Sequence, residues 1–304
     1  MVIKMERIIL NDKLSISRMV HGLWRLNQWN LTSKELLHLI EHCIELGITT
    51  FDHADIYGSY TCEKLFGDAI SQSSDIRNNI EIITKCGIKL ISENRPDNKI
   101  KHYDTSKKHI LASVENSLKN FKTDHIDLLL IHRPDPFMNP EETASAFRYL
   151  MGKGLVNSFG VSNFTPSQFN MLQSYLDFPL VTNQIEISPV HLNQFFNGTI
   201  EHCFEKRISP MAWSPLGGGK IFDSNDDKSI KLKNYFEQIC IQNNFSSLSE
   251  AVYAWHLSHP VNIIPIIGTG NITRITEAAN SINKRITREQ WFNILEISTG
   301  KKVD

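Results

Sequence analysis

The chain has 304 residues, 41% hydrophobic and 21% charged, and its 32 basic and 33 acidic residues leave a formal net charge of −1. That balance argues against broad electrostatic binding to nucleic acid or an anionic membrane, and no stretch nears the ~18 apolar residues that a membrane span needs. Cys43, Cys62, Cys86, Cys203 and Cys240 are odd in number, with no C-x-x-C spacing; they point to reduced thiols in a cytoplasmic protein.

The opening MVIKMERIIL is too charged for a signal peptide. Arg7 to Leu10 and Leu14 to Ile16 flank the turn-prone Asn11-Asp12-Lys13 and predict a hairpin. Met19 to Leu23 then reads as a strand, and Thr32-Ser33 with Glu35 starts a helix that stops at Gly47. Strands follow at Ile48 to Phe51, Ile80 to Thr84, Ile126 to Ile131, Leu155 to Val161, Val181 to Ile185, Ile208 to Trp213 and Asn262 to Ile267. Helices alternate with them: Cys62 to Ile70, Thr105-Ser106 to Phe121, one opening at Pro140 and one at Thr165-Pro166. Asn193 to Phe204, Lys228 to Asn243 and Leu248 to Leu257 also read as helical, and Ile272 to Ile282 and Thr287 to Ile297 close the chain.

Near-continuous apolar strands suit a parallel sheet covered on both faces. Eight of them, alternating with helices, predict a single-domain (β/α)8 TIM barrel with an N-terminal β-hairpin and extra C-terminal helices. A doubly wound sheet is the competing fold, but Val20-His21-Gly22-Leu23-Trp24 carries one glycine where a dinucleotide turn is glycine-rich.

In a barrel the chemistry sits at the C-terminal strand ends. There the sequence places Asp52 and Tyr57 after the second strand, Lys85 after the third and His132 after the fourth. Tyrosine titrates near ~10 and is a weak acid at neutral pH. A lysine held by a carboxylate lowers that value, so Lys85 and Asp52 would tune Tyr57 as a general acid while His132 orients a carbonyl oxygen. Taken singly, each residue reads as ordinary punctuation: a cap, a packing ring, a solvated charge, a backbone partner. A metal site built on Asp52, His53, Asp55 and His132 competes, yet neighbouring strand residues point to opposite faces. No metal is therefore expected.

The later strands end in amide and hydroxyl groups, Ser162-Asn163 and Gln184, then in WSPLGGGK and IPIIGTGNITR. Such side chains suit a carboxamide, and Trp213 offers a flat ring. Glycines 217 to 219 would let backbone N–H groups approach a pyrophosphate, beside a helix N-terminus near Asn271. Ile221 after the lysine excludes a Walker A loop.

Together the motifs FDHADIYG, ITKCGI, LLLIHRPDP, GKGLVNSFGVSNF, TNQIEISP, WSPLGGG and IPIIGTGNITR make the chain resemble the aldo-keto reductases over nearly its whole length, and IHRPDP with AWSPLGGG resembles a bacterial oxidoreductase branch. The resemblance implies NADPH-dependent reduction of an aldehyde or ketone, with NADH as the alternative cofactor. It implies Asp52, Tyr57, Lys85 and His132 as the catalytic tetrad and Ser162, Asn163 and Gln184 as holders of the nicotinamide carboxamide. Trp213 stands where a stacking tyrosine is usual. Ser214, Pro215, Leu216 and Gly217 resemble the pyrophosphate loop. Thr269, Asn271 and Arg274 resemble the groups around the adenosine 2′-phosphate, and Glu277 the adenine contact. Gly22, Trp24, Ile267 and Gly268 complete the implied cofactor set.

Gly268 departs from the basic residue often found there, and Ala278 from an asparagine. Trp24, Trp29 and Phe137 are expected to line an apolar substrate pocket. A monomer acting on a small carbonyl compound is the default expectation. A cofactor-binding regulatory subunit, as some relatives are beside channels, and a metal hydrolase on the same barrel are the competing functions.

Overall fold

The computed structural model describes residues 5–223 and 226–303. Its strands are β1 (Arg7–Asn11), β2 (Leu14–Ser17), β3 (Val20–Gly22), β4 (Thr50–Asp52), β5 (Glu81–Cys86), β6 (Ile88–Lys89), β7 (His102–Tyr103), β8 (Ile126–Ile131), β9 (Val156–Ser162), β10 (Leu180–Glu186), β11 (Met211–Trp213) and β12 (Ile264–Ile267). Helices α1 (Ser33–Glu45), α2 (Cys62–Ile70), α3 (Lys107–Phe121), α4 (Pro140–Gly152), α5 (Pro166–Gln173) and α6 (Thr199–Lys206) alternate with the strands. Then come α7 (Lys220–Asp223), α8 (Asp227–Asn243), α9 (Leu248–Leu257), α10 (Ile272–Asn280) and α11 (Arg288–Thr299). Eight strands close into a parallel barrel in the order β3-β4-β5-β8-β9-β10-β11-β12, each hydrogen-bonded to the next in sequence. The expected (β/α)8 architecture is the observed one.

Strand alternation sorts the apolar residues. On β8, Leu128 and Leu130 join Val20, Ile83, Val181, Met211 and Ile264 inside the barrel. Leu129 and Ile131 face outward and pack with Ile110, Val114 and Phe147 of α3 and α4. The hairpin adds Ile8, Leu14 and Ile16 to the interior cluster, and Asn11 Nδ2 donates to Ser158 Oγ at 3.0 Å. The N-terminal end of the barrel is therefore plugged, which leaves the opposite end for a ligand. Arg18 braces that plug: its buried guanidinium donates to Asn262 O at 3.0 Å and also to Ile263 O.

Side-chain caps set the helix starts. Thr32 with Glu35, and Thr165 with Gln168, form reciprocal capping boxes. Several elements differ from the sequence-based expectation, the strand expected over Ile48 to Phe51 lying at Thr50–Asp52 among them. The helix expected over Asn193 to Phe204 is a 3-10 turn at Asn193–Phe195 followed by α6; Gly198 at φ +82° breaks it and Asn197 Oδ1 accepts from Thr199 N. The strand expected from Ile208 shortens to β11, because Pro210 has no N–H to donate. The one expected from Asn262 shortens to β12, because Asn262 lies at φ +58°, outside the strand region. The polar loop after β5 has structure of its own, since β6 and β7 pair antiparallel with Ile88 opposite Tyr103.

Two acids lie beneath the β4–α2 connection. Glu63 Oε1 accepts from Thr84 Oγ1 at 2.7 Å and Ser117 Oγ at 2.8 Å, and Oε2 from Asn120 Nδ2 at 3.2 Å. Among the described residues, Asp55 has only Ser113 Oγ at 2.8 Å as a side-chain donor, and its buried Oδ1 has no hydrogen-bond partner. Burial first, then the charge of Glu63, pushes Asp55 up to about 8. The folded state therefore holds a proton on Asp55 that the unfolded chain releases near its ordinary carboxylate value of 3.8. Stability from this group is greatest below that value and falls as pH rises toward about 8.

Helices α2 and α3 meet at Gly67, where a Cβ would lie 2.0 Å from Asn120 O and 2.8 Å from Phe121 Cα. Gly67→Ala is expected to lower unfolding free energy by about 1–3 kcal/mol through overpacking. Gly152→Ala, where a Cβ meets nothing within 4 Å, is expected to change it by less than about 1 kcal/mol, in the stabilising direction; urea midpoints of the two variants check this. Asp55→Asn keeps the shape of the carboxyl and removes the titration. Denaturant curves at pH 5 and pH 8 are expected to differ less for the variant than for the wild type, and an unchanged slope would dismiss the buried proton.

Candidate active site

Registry brings the polar strand ends together. Gly22 pairs with Asp52, and Asp52 with Ile83, so the side chains of β4 and β5 approach at the same level. Lys85 Nζ lies 2.8 and 2.7 Å from the two Asp52 carboxylate oxygens, 2.6 Å from His53 O and 3.2 Å from the Tyr57 hydroxyl. It is fully buried and Asp52 nearly so. The ammonium also faces the Tyr57 ring at 5.0 Å from its centroid. His132 meets the same ring edge-on, with centroids 5.9 Å apart. Gln184 Nε2, from across the barrel, donates to Asp52 Oδ1 at 2.8 Å.

The electrostatics differ from the expectation of a lowered tyrosine pKa. Tyr57 is pushed well above its ordinary value, by burial first and by the Asp52 charge second. The physical reason is that Lys85 is not a free cation. Its charge is matched by Asp52, so Tyr57 faces a nearly neutral pair inside a low-dielectric site. Burial likewise lowers Lys85, against the pull of Asp52. His132 lies well below its usual value through burial and then the charges of Lys85, Arg133 and Lys101. Its imidazole is neutral at physiological pH and carries one N–H.

The other constellation lies on β9, β10 and β11. Ser162 Oγ donates to Gln184 O at 2.8 Å, Asn163 Nδ2 to Ser162 Oγ at 2.8 Å, and Trp213 Nε1 to Asn163 Oδ1 at 3.0 Å. Asn163 at φ +60° and Ser214 at φ +50° hold left-handed backbone at successive strand ends. Such conformations concentrate at functional sites. Gly217, Gly218 and Gly219 all have positive φ, and a Cβ at Gly218 would meet nothing within 4 Å, so its backbone is open to approach.

One cleft of about 1270 Å³ joins both constellations. Asp52, Tyr57, His132, Ser162, Asn163, Gln184, Trp213, Ser214, Pro215 and Leu216 line it, with Gly22, Trp24, Gly268, Thr269, Asn271 and Arg274. Lys85 sits behind Asp52 rather than in the wall. Gly217, Ile267 and Glu277, expected among the cofactor residues, are not in the lining, although the chain neighbours Gly218 and Ile266 are. Trp29 lines the cleft beside Gly270 and His21. Phe137 is 95% exposed and outside the cleft; its N–H is drawn onto Asp135 Oδ1 at 2.8 Å, in a turn that points away.

Sequence reading missed Arg25, Ile88, Lys101, Tyr103 and Arg133, all in the lining. Arg133 carried a signal, since it directly follows His132 at a strand end. His53 packs edge-on against Phe66 and Phe121, with ring centroids 4.5 and 4.9 Å away, and neither ring nitrogen is hydrogen-bonded among the described residues. Among the described residues no three His, Cys, Asp or Glu side chains are grouped to hold a metal.

Comparison with known proteins agrees with this geometry. The uncharacterized oxidoreductase YcsN of Bacillus subtilis is 54% identical over 97% of this chain and 99% of its own. The oxidoreductase YdhF of Escherichia coli is 47% identical over 94% of this chain and 95% of its own. A 6-dehydroglucose reductase of Agrobacterium fabrum is 44% identical over 98% of this chain and 100% of its own. A thermostable aldo-keto reductase crystallised with the inhibitor epalrestat superposes with a TM-score of 0.81 at 26% identity, over 96% of this chain and 100% of that one. With the model of the aldo/keto reductase family matching residues 18–299, the chain belongs to that family of carbonyl oxidoreductases.

Proposed function

We propose that the protein reduces an aldehyde or ketone to the alcohol, with Tyr57 as the proton donor and NADPH as the reductant. The carrying observation is the single ammonium that touches both Asp52 and the Tyr57 hydroxyl beside His132 in one cleft. Lys85 has donors only. Its bond to the phenol therefore falls on the oxygen, and the phenolic proton is free to point into the cleft. A pKa pushed upward by burial keeps that proton in place across the neutral range. The proton leaves when the carbonyl oxygen becomes an alkoxide, a much stronger base than phenolate. Lys85 then stabilises the phenolate, while neutral His132 donates its N–H to the same oxygen and fixes the carbonyl. Asp52 holds Lys85, and Gln184 holds Asp52.

The residues present fit a nicotinamide dinucleotide. Ser162, Asn163 and the side-chain amide of Gln184 offer both donors and acceptors to a carboxamide, and Trp213 offers its indole face. The open Gly218 backbone and the α10 N-terminus capped by Asn271 suit phosphates. When bound, the cofactor supplies the hydride. Arg274 is exposed at the start of α10 with no side-chain partner among the described residues, and a guanidinium pairs readily with a 2′-phosphate.

Tyr57→Phe is expected to cut kcat at least ~1000-fold over a carbonyl panel while leaving the NADPH dissociation constant within about threefold; substantial turnover by the variant would remove Tyr57 from the role. Arg274→Ala is expected to raise KM for NADPH about 10–100-fold, with little effect on NADH. Equal losses with both cofactors would place Arg274 elsewhere.

A further inference from the structure

The cleft wall next to the tetrad is cationic, and its cations are not spent. Arg133 follows β8 and Lys101 precedes β7; both line the cleft with Tyr57 and His132. Neither makes a hydrogen bond or ion pair among the described residues. Several arginines elsewhere are engaged: Arg7 pairs with Glu81, Arg18 with backbone carbonyls, Arg77 with Asp127 and Arg148 with Glu141. Arg133 is half-buried, and its guanidinium lies over the Trp213 ring at 5.7 Å from the centroid. A partly desolvated cation with no counter-charge carries a cost that an arriving anion relieves.

The two carboxylates of the cleft do not cancel this field. Asp52 is neutralised by Lys85. Asp223 lies at the glycine loop, 3.7 Å from where a Gly219 Cβ would stand. Lys101 is presented by the small β6–β7 sheet, whose Ile88–Tyr103 pair puts Ile88 and Tyr103 in the same wall. The wall thus offers an apolar patch, a phenol and two cations. Arg133 and Lys101 both act on His132, and Arg133 also on Tyr57.

We infer that the carbonyl substrate carries an anionic group, a carboxylate or a phosphate, which Arg133 holds through its fork and Lys101 through its ammonium while the carbonyl lies at Tyr57 and His132. This rests on the carbonyl-reduction reading and narrows it. Arg133 acts as a specificity residue.

The test uses matched pairs on the full-length enzyme with NADPH. 4-Carboxybenzaldehyde is compared with 4-methylbenzaldehyde, and glyceraldehyde 3-phosphate with glyceraldehyde. In at least one pair kcat/KM is expected to favour the anionic member by about tenfold or more, and which pair does so separates carboxylate from phosphate. Arg133→Met is expected to shrink that ratio about tenfold, Lys101→Met by a smaller factor, and Arg133→Lys to restore part of it. Quenching of intrinsic tryptophan fluorescence gives a second readout: 4-carboxybenzyl alcohol binds the wild type about tenfold tighter than Arg133→Met, with NADPH affinity moving much less. Neutral members reduced as well as anionic ones, or a loss of NADPH affinity matching the loss of turnover, would overturn the inference and leave carbonyl reduction standing. Failure to reduce any member would sink both.

Discussion

The buried ion pair of Lys85 and Asp52 is the constraint on which the site rests. An ammonium and a carboxylate removed from water are costly unless each polar atom is met. Here both carboxylate oxygens touch Lys85 Nζ, which also meets His53 O and Tyr57. Gln184 adds a bond from across the barrel. The pair can exist only where adjacent parallel strands end together over a closed interior. The barrel fold and the site are therefore one construction: the hairpin seals one end, and the pair occupies the other.

That neutralisation also explains how an unlowered tyrosine suits the proposed proton transfer. A free lysine beside Tyr57 would drive it toward phenolate and strip the proton that the proposed reaction needs. A lysine matched by Asp52 leaves the phenol intact, yet stands ready to support the phenolate once the proton has moved. The neutral His132 follows the same logic, since burial and three nearby cations keep a second positive charge off the ring. The cations beside His132 are the same ones proposed to hold an anionic substrate, so in that proposal Arg133 ties proton chemistry to selectivity.

The left-handed conformations at Asn163 and Ser214 belong to the same economy. Each turns the chain sharply at a strand end and aims a polar side chain into the cleft instead of along the sheet. The cost of such backbone is of order 1–3 kcal/mol per residue. The hydrogen-bond chain from Trp213 through Asn163 and Ser162 to Gln184 O offsets it, and it links the second constellation to the residue that holds Asp52.

The sequence by itself determined the barrel and the meeting of Asp52, Tyr57, Lys85 and His132. Apolar runs alternating with capped helices leave little other way to bury so many strands, and a parallel barrel puts every strand C-terminus at one mouth. The polar ends of β9, β10 and β11 were legible for the same reason. Tertiary structure alone decided the rest. Phe137 looked like a pocket residue because it is aromatic and near a strand end, but a turn onto Asp135 sends it into solvent. Lys101 and Arg133 lie apart in the chain and line one cleft, Lys101 beside the β6–β7 pair and Arg133 after β8. Tyr57 and Asp55 have raised pKa values because desolvation, a property of the whole surroundings, outweighs the neighbours that local sequence can name. Periodicity encodes where a strand ends; which way a loop side chain points and how much water it loses depend on contacts across the fold.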